Sequence, residues 1–189
     1  MPRAALIALL LLAALPAAAR ADRQMDPELR GVLADALQPA DCFADRYERA
    51  VWFAFMEPRL SRYVKDGQER EQILHHVHCE ARRVDVPPEL VLAVMDVESR
   101  FDRYAVSSAG AVGLMQVMPF WPGELGMSNE QLIRIPDNVR MGTTILGYYL
   151  RKERGNYQRA LQRYNGSLGR PTYSDLVIDR LLSRWRYDH

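Results

Sequence analysis

Lysine is almost missing from this sequence: arginine supplies all but two of its 25 basic residues. That bias reads as compositional and not as a functional signature. Charge of one sign is missing too, since 25 basic residues face 24 acidic ones for a formal net charge of +1. A chain so balanced carries no electrostatic footprint for a nucleic-acid partner. Cysteine occurs twice, at Cys42 and Cys79. Two cysteines exclude a disulfide-dense scaffold, and without a second Cys/His cluster a structural metal site has little to build on. No apolar run is long enough to span a bilayer of about 30 Å as a mature helix. No segment alternates convincingly as a strand, and no internal repeat is visible.

What is present begins with a leader. Arg3 is followed by "AALIALLLLAALPAA", with Pro16 near its end, and by small-residue cleavage patterns ending at Ala19 and Ala21. That order marks a secretory signal peptide over 1–21. No cysteine follows the cleavage zone, so the expectation is an exported protein, periplasmic or secreted, with no stable membrane anchor. Losing Arg3 and Arg20 turns the formal charge from +1 to −1. The remaining chain suffices for one domain with a real core. In an oxidising compartment Cys42 and Cys79 are most simply a disulfide. A competing reading takes His75, His78 and Cys79 of "HHVHC" as ligands at helical spacing.

Helix signals follow one another. Asp26-Pro27 starts a short helix to about Gln38, and a second runs from Asp45 until Pro58 ends or kinks it. A third follows the Asp66-Gly67 break, and Pro88 opens a fourth that reaches Arg100. Further helices are expected near Gly113–Met118, Ser128–Arg134, Pro136–Glu153, Tyr157–Tyr164 and Tyr173–Trp185. The fold class is all-α: a helical N-terminal extension over 22–67, then one helical domain over 68–189.

On the helix from Pro88, Leu90, Val91, Val94, Val97 and Phe101 mark an apolar face. Glu98 sits on its flank, whereas Asp96 points about 200° away. A carboxyl held against hydrocarbon resists ionisation and can keep a proton for use as a general acid. Periodicity alone equally allows Glu98 to reach water or pair with Arg100 or Arg103. "AVSSAGAVGLMQ" follows, with Gly110 and Gly113 around a turn and Gln116 offering an amide suited to sugar hydroxyls and acetamido groups.

Glu98-Ser99, Phe101, Ala105, Ser107, Gly110-Ala111, Gly113-Leu114-Met115-Gln116 and Pro119 together resemble the signature of the soluble lytic transglycosylases, relatives of goose-type lysozyme. The likeness continues through Asn138, Gly142 and Tyr149-Leu150 to Tyr164-Asn165, and covers about Val84 to Tyr173. The family's Ala-Gly after Tyr-Asn is here Gly166-Ser167. The resemblance implies a lysozyme-like fold, with peptidoglycan glycan strands as substrate and no cofactor or metal. Glu98 would be the single catalytic acid, cleaving the β-1,4 bond between N-acetylmuramic acid and N-acetylglucosamine to leave a 1,6-anhydro end. Substrate assistance is a recognised exception to the usual carboxylate pair. Ser99 would orient the acid or its loop, Met115 and Gln116 would line the cleft, Tyr164 would lie near the acid, and Asn138 and Asn165 would bind or support. Phe120 and Trp121 either stack on sugar or fill the core.

Two rivals remain open at this level. A muramidase would need a second carboxylate to activate water, with Asp102 the nearest candidate. A non-catalytic wall-binding part of an envelope secretion or conjugation apparatus would leave Glu98 idle.

Overall fold

The computed structural model describes residues 27–35, 42–43, 46–124 and 128–186. The leader and the Asp26 cap lie outside the described residues. Eight α-helices are described: α1 Pro27–Asp35, α2 Arg46–Leu60, α3 Gly67–Arg83, α4 Pro88–Glu98, α5 Phe120–Glu124, α6 Ile135–Lys152, α7 Tyr157–Asn165 and α8 Thr172–Arg180. A 3-10 turn at Asn129–Ile133 precedes α6, and a π-helical turn at Leu181–Trp185 extends α8. Among the described residues there is no strand, only isolated bridges pairing Val106 with Val112 and Val112 with Val117. The all-α expectation holds.

Local chemistry sets the boundaries. Asp66 accepts the Glu69 amide to cap α3, and Asn156 accepts the Arg159 amide to cap α7. Proline in the first turn opens α1, α4 and α6, where its missing N–H costs nothing. Pro58 does not end α2, which continues to Leu60. The expected helix at Gly113–Met118 does not form. Gly113 has φ of 81° and Gln116 φ of 49°, so the backbone leaves the right-handed region twice within that run, after Gly110 has already done so just before it with φ of 83°. The short α5 takes up helical structure just afterwards, a helix that sequence pattern did not suggest.

Helix α4 is the axis of the molecule. Leu90 through Met95 are all fully buried, because α3, α8 and the π turn cover it. A helix apolar all round must lie inside. Its one buried charge, Asp96, accepts from Trp185 Nε1 at 3.1 Å, Arg184 Nη1 at 3.3 Å and Tyr63 Oη at 3.3 Å. Asp96 therefore clasps the C-terminal turn to the side of α4 away from Glu98. A second buried carboxylate, Glu80, takes Arg83 at 2.6 Å and Arg140 at 2.8 Å, joining α3 to α6. Stripping the donors from either carboxylate would leave a buried charge uncompensated.

The N-terminal helices share this core. Leu29 and Leu33 of α1 and Trp52, Met56 and Leu60 of α2 are buried in the same apolar cluster as α4. Trp52 donates its indole N–H to Leu74 O at 3.0 Å. Cys42 and Cys79 form a disulfide across 37 positions. That removes the thiolate on which the "HHVHC" metal reading depended, and no metal-binding cluster exists among the described residues.

Candidate active site

Glu98 is the last residue of α4, and the chain turns sharply after it. Arg100 and Phe101 both adopt left-handed backbone, with φ of 51° and 66°, so the helix stops at 98 and not at the expected Arg100. Two consecutive side-chain-bearing residues in that region are costly, and such strain gathers at functional sites. Ser99 holds the turn. Its hydroxyl donates to Leu114 O at 2.8 Å and accepts the Phe101 amide at 3.1 Å, tying the end of α4 to the glycine-containing loop.

That loop is braced from three directions. Asn138, 1% exposed, accepts the Met115 amide at 2.8 Å and donates to Val112 O at 2.9 Å and Leu132 O at 2.8 Å. Gly113 permits this: a Cβ there would stand 2.3 Å from Asn138 Nδ2. Gln116 donates its amide to Ala105 O at 3.1 Å and Gly113 O at 3.0 Å. Tyr164 of α7 donates to Met115 O at 2.7 Å. Met115 is fully buried, its sulfur accepting from Thr143 at 3.5 Å, so the carbonyl and not the side chain meets Tyr164.

The acid has its own donor. Tyr173, in the first turn of α8, donates to Glu98 Oε1 at 2.6 Å. Burial, then the negative charge of Glu98, pushes the Tyr173 phenol well above its ordinary range. Burial and the same charge raise Tyr164 likewise. Both hydroxyls therefore stay protonated, and act as fixed donors, across any physiological pH. Glu98 itself is half-buried, beside tyrosines and not turned out into bulk water.

A groove opens next to this cluster, lined by Gln116, Phe120, Trp121, Tyr149, Arg163 and Tyr164 among others. Trp121 is 6% exposed and chiefly core, while Phe120 is half-buried and packs on it with ring centroids 4.7 Å apart. Asn165 lies exposed at the end of α7, where Gly166 takes the left-handed cap with φ of 71°. Asp102 is exposed and its Oδ1 accepts the Tyr104 amide at 2.9 Å, closing a turn.

Of the residues singled out from sequence, Ser99, Met115, Gln116, Asn138 and Tyr164 meet at one loop beside Glu98, and Asn165 follows Tyr164 at the exposed end of α7. Tyr173 is the one that sequence reasoning missed. It lies 75 positions from Glu98. Its only signal was its place at the end of "NGSLGRPTY", the last stretch of the family likeness.

The class that fold and site define is an all-α domain with a tyrosine-braced carboxyl at a helix end, next to a groove. More specifically, the chain belongs to the transglycosylase SLT domain family, whose model matches residues 77–172. It is similar to a membrane-bound lytic murein transglycosylase C of Actinobacillus pleuropneumoniae, 52% identical over 48 residues, 25% of this chain and 13% of that protein. The corresponding protein of Yersinia pestis is 33% identical over 109 residues, 49% of this chain and 30% of that one. The chain thus spans less than a third of the length of these relatives. A solved lytic transglycosylase Slt from Pseudomonas aeruginosa, an inactive mutant, aligns with 26% identity and a TM-score of 0.47, over 71% of this chain and 25% of that one.

Proposed function

We propose that the protein is a peptidoglycan lytic transglycosylase with Glu98 as its sole catalytic acid and base. The observation that carries this reading is the Tyr173 hydroxyl 2.6 Å from Glu98 Oε1 in an SLT domain, next to Tyr164, which feels the charge of Glu98 and lines the neighbouring groove. With Oε1 held as an acceptor, the transferable proton rides on Oε2. Glu98 gives it to the glycosidic oxygen as the C1–O bond breaks, and the substrate's own acetamido carbonyl stabilises C1. The carboxylate then removes the proton from the C6 hydroxyl, whose oxygen closes onto C1. Atoms balance without water, and the muramic acid ends as its 1,6-anhydro form. Substrate assistance removes the need for a second carboxylate. Asp102, committed to Tyr104, and Asp96, clasped on the far side of α4, support a single-acid scheme over a hydrolytic one.

Gln116, Tyr164 and the exposed Asn165 are assigned to the sugar cleft, and Ser99, Asn138 and buried Met115 to the scaffold that sets its loop. The chain divides into a leader over 1–21, removed on export, and a working unit made of a helical extension over 22–67 and the transglycosylase domain over 68–189. It acts on glycan strands in the periplasm or outside the cell, in wall turnover or in opening the wall for an envelope-spanning secretion apparatus.

Mass spectrometry of purified peptidoglycan after digestion tests the chemistry. Anhydro-terminated muropeptides are expected, and free reducing ends would show a hydrolase instead. Glu98→Gln keeps the shape of the side chain and removes the acid. Its product release is expected to fall by at least about a thousandfold, and a rate equal to the parent's would acquit Glu98.

A further inference from the structure

We infer that the face built from α2 and the C-terminal π turn docks on the surface of an anionic phospholipid bilayer. Two features meet there, and neither serves the site at Glu98. The first is a groove of about 560 Å³ lined by Pro58, Arg59, Arg62, Tyr63, Arg184 and Arg186, with Ser183 and Trp185. Four arginines enter its lining and, among the described residues, no carboxylate does; Asp96 lies beneath, with a side chain 3% exposed, and holds Arg184 in place. Arg59 is oriented by backbone, donating to Arg184 O at 3.1 Å and to Phe55 O. Arg62 is exposed and makes no ion pair or side-chain hydrogen bond among the described residues.

The second feature is a stripe of exposed apolar side chains leading to that groove. Tyr47, Val51 and Phe55 follow one another at four-residue steps along α2 and are 65%, 48% and 42% exposed. Arg46 donates to the Tyr47 hydroxyl at 2.9 Å, and Leu182 of the π turn is 58% exposed. Val51 and Pro58, seven residues apart, fall on nearly one line of α2, and Arg62 follows in the turn just past its end at Leu60.

Charge complementarity decides what covers this face. A small soluble anion would use the arginine groove and leave the stripe without purpose. Aromatic and aliphatic groups beside arginines are what an interfacial helix presents to lipid: hydrocarbon enters the headgroup boundary while guanidinium groups meet phosphates. Arginine suits this task, because its planar fork pairs phosphate oxygens while its stem lies along apolar surface. The arrangement also orients the molecule. The groove sits on the Asp96 side of α4, and Glu98 lies two residues on, about 200° around the helix. A docked molecule turns its cleft away from the bilayer. This is reversible docking by a folded face, distinct from an anchor, and it stands whether or not the proposed chemistry does.

Co-sedimentation with vesicles tests it, using the protein in the form that cells accumulate. The parent is expected to pellet with phosphatidylglycerol–phosphatidylcholine vesicles, to stay in solution with phosphatidylcholine alone, and to be released by added salt. Arg62→Glu and the pair Val51→Ser with Phe55→Ser are each expected to weaken binding by at least about fivefold, with melting temperature unchanged. Equal pelleting of parent and variants, or pelleting indifferent to lipid charge, would overturn the inference. So would absence of binding to the anionic vesicles, or complete release by millimolar inorganic phosphate at constant ionic strength, which would mark a free-phosphate site. A vesicle-free dimer that dissociates in the Val51→Ser, Phe55→Ser variant would reassign the face to a second copy of the chain.

Discussion

Removing one oxygen from Tyr173 isolates what its hydrogen bond does for Glu98. Tyr173→Phe keeps the ring, which helps bury the acid, and deletes only the donor to Oε1. A hydrogen bond to a charged group is worth about 1.5–3 kcal/mol, so kcat for anhydro-muropeptide release should fall about 10- to 100-fold. KM should hardly move, because the bond acts on the acid and not on bound sugar. A fall in melting temperature with kcat intact would make Tyr173 a packing residue. Sequence made Glu98 legible, since helical spacing put a carboxyl on the flank of an apolar face. It could not make Tyr173 legible, because nothing local links two residues 75 apart. Ser99 and Asn138 were legible in outline, as loop-orienting and cleft-or-support residues, but not in their partners. Their partners are the backbone atoms of Leu114, Phe101, Met115, Val112 and Leu132, which no pattern of side chains reveals.

Elements meet most tightly where α6 passes the site loop, and a glycine sets the distance. A Cβ at Gly142 would stand 2.5 Å from Met115 Cβ and 2.6 Å from its sulfur. Gly142→Ala therefore sets two effects against each other. Alanine favours the helix by about 1 kcal/mol over glycine, while overpacking a closed core costs about 1–3 kcal/mol. Met115 is fully buried, and the amide and carbonyl of the same residue are held by Asn138 and Tyr164, so the loop has little room to retreat. The clash should win. Urea denaturation is expected to show a net loss of about 1 kcal/mol, with slower turnover as the Met115 carbonyl shifts under Tyr164. A stabilised variant would show that the loop yields freely. The same elements explain where helix reading failed. The run Gly113–Met118 has helical composition, yet its carbonyls and amides are spent on Ala105, Asn138 and the Val112–Val117 pair, so tertiary partners outbid the helix.

At the scale of the whole molecule, the N-terminal helices are fastened to α3 by a disulfide and by one buried histidine. Closing a loop between Cys42 and Cys79 stabilises the fold by about 4 kcal/mol on the chain-entropy model. His78 sits beside that bridge with a side chain 7% exposed, stacked on Phe43 with centroids 4.3 Å apart. Its Nδ1 is buried with no hydrogen-bond partner among the described residues, and Glu48 Oε1 stands 3.6 Å from its Nε2. Burial lowers the pKa of His78 below its ordinary 6.5; Glu48 opposes this, and Arg82 and His75 add to it. His76 is lowered as well, by burial first and then by His75. The consequence has a definite sign. Below about pH 6.5 the unfolded chain binds protons that the folded one refuses, so stability falls as pH drops through that window and levels off below the folded values. Thermal melts at about pH 8 and pH 5 should show this loss, and His78→Leu should shrink it by removing a group that charging disrupts. A variant that loses as much as the parent would place the acid sensitivity outside this cluster. Should the loss shrink as expected, the grip of the N-terminal cover on α3 weakens in acid while the tyrosines at Glu98, raised far above that range, keep their protons.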